Sequence, residues 1–169
     1  MALPRKLKVF NVFNDGSSYI GETTEVTLPK LTVKTEAYRA GGMIGEIDVD
    51  LGLEKLEMEH TYGGPIRQVY SQFGLAKTAG VLLRFMGAFQ RDDTGDVDAV
   101  EVVVRGRHTE IDPGTAKAGD DTTFKVKSSL SYYKLVINSQ TVVEIDMERM
   151  IYIVDGVDRY ADHRQAVGL

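Results

Sequence analysis

Nucleophiles, carboxylates and histidines are where chemistry would have to start, and here they form no familiar catalytic set. A serine nucleophile needs a sharp Gly-x-Ser-x-Gly turn between a strand and a helix. Gly16-Ser17-Ser18-Tyr19-Ile20-Gly21 has the wrong spacing and the wrong setting, and reads as a plain turn. Gly41-Gly42-Met43-Ile44-Gly45 matches neither phosphate-binding fingerprint, and no helix follows to present its N–H groups. It reads as a flexible loop. His108 and Glu110 stand at i, i+2 on one strand face, where a metal could use both, yet no third ligand lies nearby in sequence. His60 falls on an apolar face with Met58 and Tyr62, the setting of a hydrogen-bonded packing histidine; His163 belongs to no pattern. The stretch Asp92–Asp98 is rich in carboxylates but lacks the spaced ligands and distal Glu of a calcium loop. Glu57 and Glu59 face the same way, as an acid/base pair would, and a neighbouring lysine on a strand edge explains them equally well. The absence of cysteine excludes disulfides, thiolate metal sites and a cysteine nucleophile. Nothing combines a nucleophile, a base and an oxyanion donor. The expectation is a protein that is not an enzyme and takes no cofactor or metal. A small β-barrel enzyme with scattered site residues is the competing class.

The elements that would position any such residues are mostly strands. Period-two alternation runs through Leu31–Tyr38, Glu46–Leu51 and Lys55–Tyr62, where Leu56, Met58, His60 and Tyr62 oppose Lys55, Glu57, Glu59 and Thr61. Val81–Gln90, Asp98–Gly106, Phe124–Ile137 and Thr141–Ile145 are rich in β-branched and aromatic residues. Arg91–Asp96 and Asn138-Ser139-Gln140 read as hairpin loops, and Asp112-Pro113-Gly114 as a turn. Only Ile66, Val69, Tyr70 and Phe73 keep helical spacing, between Pro65 and Gly74, which predicts one helix over 65–74. Across 169 residues there is no linker, repeat or low-complexity tract, so one domain over 1–169 is expected. Five-residue apolar runs are far short of the roughly 20 residues a membrane helix needs. The opening Met-Ala-Leu-Pro-Arg-Lys predicts no secretion signal and no membrane anchor.

Charge narrows the partners. Residues 1–84 carry 10 basic and 10 acidic side chains, so the whole net charge of −5 sits in the second half. Acid clusters at Glu46, Asp48, Asp50, Glu54, Glu57 and Glu59, and again at Asp92, Asp93, Asp96, Asp98 and Glu101. The basic run Arg5, Lys6 and Lys8 is too small for a phosphate footprint. Attraction of nucleic acid is therefore not the expected role; repulsion is compatible. So many two-faced strands also leave edges that must be closed, covered or paired with another subunit.

Specific passages carry a resemblance. They are Met1–Lys8, Asn11–Gly16, Val26–Leu31 with Lys34, Glu36 and Tyr38, and Arg39–Met43 running to Val49–Leu53. Further along come Glu110–Gly114 with Lys117 and Gly119, Ser131–Leu135, Glu144–Asp146, and Gly156–Asp158 through to Gly168-Leu169. Together and in this order they resemble the FII family of major tail tube proteins of contractile-tailed phages, and the related tube protein of R-type bacteriocins. The match is weakest from about 63 to 98. The resemblance implies a mainly β (α+β) fold, an antiparallel barrel or sandwich with one short helix, like the haemolysin-coregulated protein of type VI secretion. It implies six-membered rings stacked into a rigid tube inside a contractile sheath, with baseplate and tail-completion proteins as further partners. The chain would be made in the host bacterial cytoplasm and built into the virion tail, puncturing the host envelope and conducting DNA without binding it specifically. A bacteriocin or other injection system without DNA cargo is the alternative.

Two regional expectations follow. Glu46, Asp48, Asp50, Glu57, Glu59, Asp96, Asp98 and Glu101 are candidates for a negative lumen, though a one-residue register change would swap the faces. Arg39–Leu53 is expected to be a loop or hairpin arm making contacts between rings. Gly41, Gly42 and Gly45 loosen its tip, Met43 and Ile44 are apolar where a turn is normally polar, and Ile47 begins one sticky face.

Overall fold

Strands form where alternation gives the backbone one face to bury, and here that rule accounts for most of the chain. The computed structural model describes residues 1–169. In chain order the elements are β1 (Arg5–Asn14), β2 (Ser17–Ser18), β3 (Thr23–Thr27), β4 (Val33–Tyr38), β5 (Ile47–Leu53), β6 (Leu56–Tyr62) and α1 (Arg67–Gln72). There follow β7 (Val81–Arg91), β8 (Val97–Asp112), β9 (Phe124–Ile137), β10 (Gln140–Asp146), β11 (Ile151–Val154), β12 (Val157–Asp158) and α2 (Ala161–Ala166).

Ten strands make one antiparallel sheet, ordered β12-β11-β10-β9-β8-β7-β1-β2, with β6 attached to β9 and β3 to β6. The sheet forks at β9. One edge pairs β8 over nearly its whole length; the other pairs β6 along Phe124–Leu130 and β10 along Tyr132–Ile137. Val12 of β1 and Leu56 and Met58 of β6 share one core with Leu83, Phe85, Val104, Tyr133 and Ile145. Since three strands separate β1 from β6 in the sheet order, the sheet must curl back on itself to bring them together. Three ends stay open: β2 covers only Phe13 and Asn14 of β1, β12 only Ile153 and Val154 of β11, and β3 pairs with nothing but β6.

Bulges set the curl. The β8–β9 register shifts between Arg105 and Gly106 and again between His108 and Glu110. At Gly106 a Cβ would collide with the Ser129 carbonyl and the Leu130 Cα, all backbone, so only glycine fits this close approach.

The expected helix is present but shorter, and its buried face differs. Val69 and Gln72 are buried, whereas Tyr70 and Phe73 of the apolar stripe are about half exposed. A helix of fewer than two turns can dock only a narrow face, and the ground beneath it offers polar partners to Gln72. Gly74 closes it at φ +88°. A second helix, α2, was not legible because it buries nothing. It is held by Arg164, which pairs with Asp158 and donates to the Met150 carbonyl at 2.8 Å.

Candidate functional site

The hairpin of β4 and β5 stands apart from the main sheet, its two strands pairing only with each other. The excursion is longer than the expected 39–53, because Val33–Tyr38 forms its outgoing strand. Nothing from Val33 to Leu53 is buried. Cross-strand partners share a face in an antiparallel pair. Tyr38 opposite Ile47 and Glu36 opposite Val49 therefore give one largely apolar side, which Leu51 extends. Ala37 opposite Asp48 and Thr35 opposite Asp50 give a polar, acidic side. A bulge at the base is absorbed by Gly52 at φ +103°. Tyr38, Ile44, Ile47, Val49 and Leu51 are all exposed, Ile44 completely. Met43 is half-buried instead, its sulfur accepting from the Ala40 N–H at 3.1 Å within the tip. Gly41 and Gly42 precede it with open space around them. A free apolar face of this kind marks an interaction surface.

The eight lumen-charge candidates fall in three places rather than on one face. Glu46, Asp48 and Asp50 belong to the hairpin and have no cation within ion-pair distance. Glu57 and Glu59 lie on the outer side of β6, which is flanked on both sides and is not an edge. Glu57 meets Lys55 at 2.8 Å and Lys127 at 3.6 Å, and the Lys55 hydrogen bond holds its carboxyl below the usual range. Asp96, Asp98 and Glu101 sit at the β7–β8 turn and just beyond. Glu101 pairs with Arg84 at 2.9 Å, and Asp98 with Arg5. The basic run at the N-terminus thus answers the distant acid: Lys8 reaches Asp92 at 2.9 Å, and the Leu3 N–H donates to Asp93 at 3.1 Å. That pairing joins segments some 84 to 93 residues apart and leaves no local signal.

The histidines separate. His108 and Glu110 do not share a face as their i, i+2 spacing indicated: the bulge between them leaves His108 buried and Glu110 exposed. No group of three His, Cys, Asp or Glu residues is placed to hold a metal ion. His60 is a hydrogen-bonded packing residue, with Nδ1 2.7 Å from the Tyr62 hydroxyl and Nε2 3.0 Å from Ser128 Oγ. His108 joins the same cluster, Nδ1 lying 2.8 Å from Ser128 Oγ and Nε2 3.0 Å from Gln72 Oε1. Burial drives the pKa of His60 down to about 3, helped by His108, and that of His108 down to about 4. Sequence spacing could not show that these two rings lie 5.6 Å apart.

The sequence matches the family described as phage tail tube protein FII over residues 4–168. It is 48% identical to the tail tube protein of Escherichia phage P2, with both chains covered in full. It is 42% identical to the major tail tube protein of Serratia phage KSP20, over 96% of this chain and 94% of that one. Among solved structures the fold is similar to a chain of an extracellular contractile injection system, the PVC sheath–tube complex in its extended state, with TM-score 0.58 and 12% identity over 80% of this chain and 91% of the other. A chain from the six-fold symmetrised baseplate of the anti-feeding prophage gives TM-score 0.54 and 11% identity over 80% of this chain and 97% of that one.

Proposed function

The chain belongs to the phage tail tube protein FII family, and from that premise we propose that six copies close into a ring and that rings stack into the inner tube of a contractile tail. It is a structural component of the virion tail. Within the ring, the open edge of β1 along Arg5–Asn11 pairs with an open edge of the neighbouring copy, making the sheet continuous around the lumen. The whole chain acts as one tube domain, with the β4–β5 hairpin as the arm that reaches the next ring.

The observation that carries this reading is the hairpin: five exposed apolar side chains on an element that meets its own core only at its base, through Leu53. A monomer gains nothing by displaying them, while a stacked ring would bury them. Gly41, Gly42, Met43, Ile44 and Ile47 form the part that meets the partner. The sheath protein, baseplate and tail-completion proteins are the further partners, and synthesis takes place in the host cytoplasm. The lumen is net negative, which keeps DNA, with one charge per about 1.7 Å of axis, from adhering in transit. Because Glu57, Asp98 and Glu101 are already answered by cations, the uncompensated carboxylates of Glu46, Asp48, Asp50, Glu59 and Asp96 supply most of that sign.

Negative-stain electron microscopy of the purified protein tests the proposal. Rings or tubes are expected; particles that stay monomeric at high concentration would defeat it. A tube without DNA cargo is the second reading, favoured by the fold's likeness to contractile injection systems. Capsid and terminase genes beside the coding sequence decide for a phage.

A further inference from the structure

We propose that the buried chain Asp15–Gln72–His108–Ser128–His60–Tyr62 is an acid-released latch holding α1 against the sheet. Its members come from five separate parts of the fold: the β1–β2 turn, α1, β8, β9 and β6. Every link is within hydrogen-bond distance, and no buried side-chain polar atom in the molecule lacks a partner.

The direction of each bond follows from one fixed end. Asp15 is a carboxylate and only accepts, so the group facing its Oδ2 at 2.8 Å must be the Gln72 amide nitrogen. That orients Gln72. Its two N–H bonds go to Asp15 and to Asn14 Oδ1 (2.7 Å), and its Oε1 accepts from Asn14 Nδ2 at 2.8 Å and from His108 Nε2. His108 therefore carries its proton on Nε2 and accepts on Nδ1 from the Ser128 hydroxyl. Ser128 Oγ in turn accepts from His60 Nε2, leaving His60 Nδ1 to accept from the Tyr62 hydroxyl. Both rings are held as the neutral Nε2–H tautomer.

A chain with one direction has no place for an extra proton. Protonating His108 turns Nδ1 into a donor aimed at Ser128 Oγ, which already accepts from His60; the serine hydroxyl hydrogen then has no acceptor. Protonating His60 does the same to the Tyr62 hydroxyl. Either event buries a charge and orphans a donor. The titratable groups facing the rings offer little relief. Tyr62 and Tyr19 are neutral, Glu22 acts only on the tyrosines, and the two rings oppose each other's charge. Asp15 favours a charge on His108, but its near oxygen is already taken by Gln72. The Nε2–H bond from His108 to Gln72 survives protonation, so relief has to come from water reaching the rings, and α1 is a wall with no strand ladder to hold it. Besides Gln72, it is tied by Val69, packed with Tyr19, Tyr62 and Phe124, and by Gln68, which bonds Tyr19 and the Asn14 carbonyl. Its departure would open the chamber to water and take along the exposed Tyr70, Phe73 and Leu75.

Two measurements on the intact chain test this. Imidazole ¹⁵N spectra at pH 7 should show His60 and His108 as pure Nε2–H tautomers; an Nδ1–H or charged ring would overturn the assignment. Amide hydrogen exchange, corrected for intrinsic rate, should show protection of Arg67–Phe73 falling at least tenfold between pH 6.5 and 4.5 while β8 and β9 amides keep a larger protection. Sheet protection falling to the level of α1, or no fall in α1, would overturn the latch. Gln72→Leu should bring α1 at pH 7 to the protection that the unaltered chain shows at pH 4.5, and unchanged protection would count against the proposal. If that variant does not fold, the pH series on the unaltered chain decides alone.

Discussion

The hairpin arm and the chamber beneath α1 invert the usual placement of side chains in opposite senses. The arm holds Tyr38, Ile44, Ile47, Val49 and Leu51 in water. The chamber holds Asn14, His60, His108, Gln72 and Ser128 out of it. In the chamber each polar atom has a partner inside the same chain, so the inversion is balanced before any other molecule arrives. On the arm the balance is missing within the subunit and must come from outside. The difference teaches how to separate structure from function in a tail tube protein: the region that is complete holds the subunit together, and the region that is incomplete is where, on the proposed reading, it meets its partner.

Replacing both Met43 and Ile44 with Asp should break the comparison most sharply. Assembly into tubes is expected to vanish, while subunit stability, read by urea unfolding, falls by no more than about 1 kcal/mol, because Ile44 is fully exposed and the half-buried Met43 touches only the tip of the arm. A variant that still polymerises, or that melts, would remove the arm from the assembly contact. Acid should act on the other region. Both histidines titrate lower in the folded chain than their usual 6.5, so below that pH the unfolded chain binds more protons and stability declines. The decline runs from pH 6.5 towards about 4 for His108 and about 3 for His60. At about 1.4 kcal/mol per pH unit per histidine, unfolding at pH 4.5 should be easier than at pH 6.5 by up to about 5 kcal/mol. Equal stability at the two values would show that the chamber admits charge. A smaller effect separates the two regions by backbone alone. Gly106→Ala should cost about 3 kcal/mol, since the added carbon meets unyielding backbone. Gly45→Ala on the arm, with open space around it and no positive φ, should be neutral or slightly stabilising in the same thermal melts. Smallest of all, Asp48→Asn with Asp50→Asn should change subunit stability by less than about 0.5 kcal/mol, as neither carboxylate has an ion-pair partner.

How far the sequence disclosed all this depended on whether the signal was local. Strands whose inner face is apolar were legible, and Leu56, Met58, His60 and Tyr62 are buried as their alternation indicates. The strand β1 was harder to read, because Arg5, Lys6 and Lys8 look like a charged tail until Asp92 and Asp98 are seen opposite them. A bulge defeated the pairing of His108 with Glu110, since one extra residue reverses the faces. The stripe through Tyr70 and Phe73 misled because Gln72, a polar residue, is what the chamber takes in. The arm was visible as glycines around apolar residues, but its outgoing strand was not separable from any other alternating run. Partnerships across the fold, such as Ser128 between two histidines, leave no trace at any fixed spacing.

The open edges of β1 and β3 have a consequence for the bore of a tube. They differ in sequence and length, so pairing one with the other is head-to-tail, and such pairing closes only if the turn from copy to copy divides a full circle. That turn is set by how tightly the sheet curls between these two edges, and the curl is set in part by the bulges at Gly106 and between His108 and Glu110. The width of the channel would then be written in two extra residues, Ser131 of β9 and Thr109 of β8, and not in the length of the chain. Removing one bulge by deletion would alter the number of copies per turn, or leave an open spiral in place of a ring.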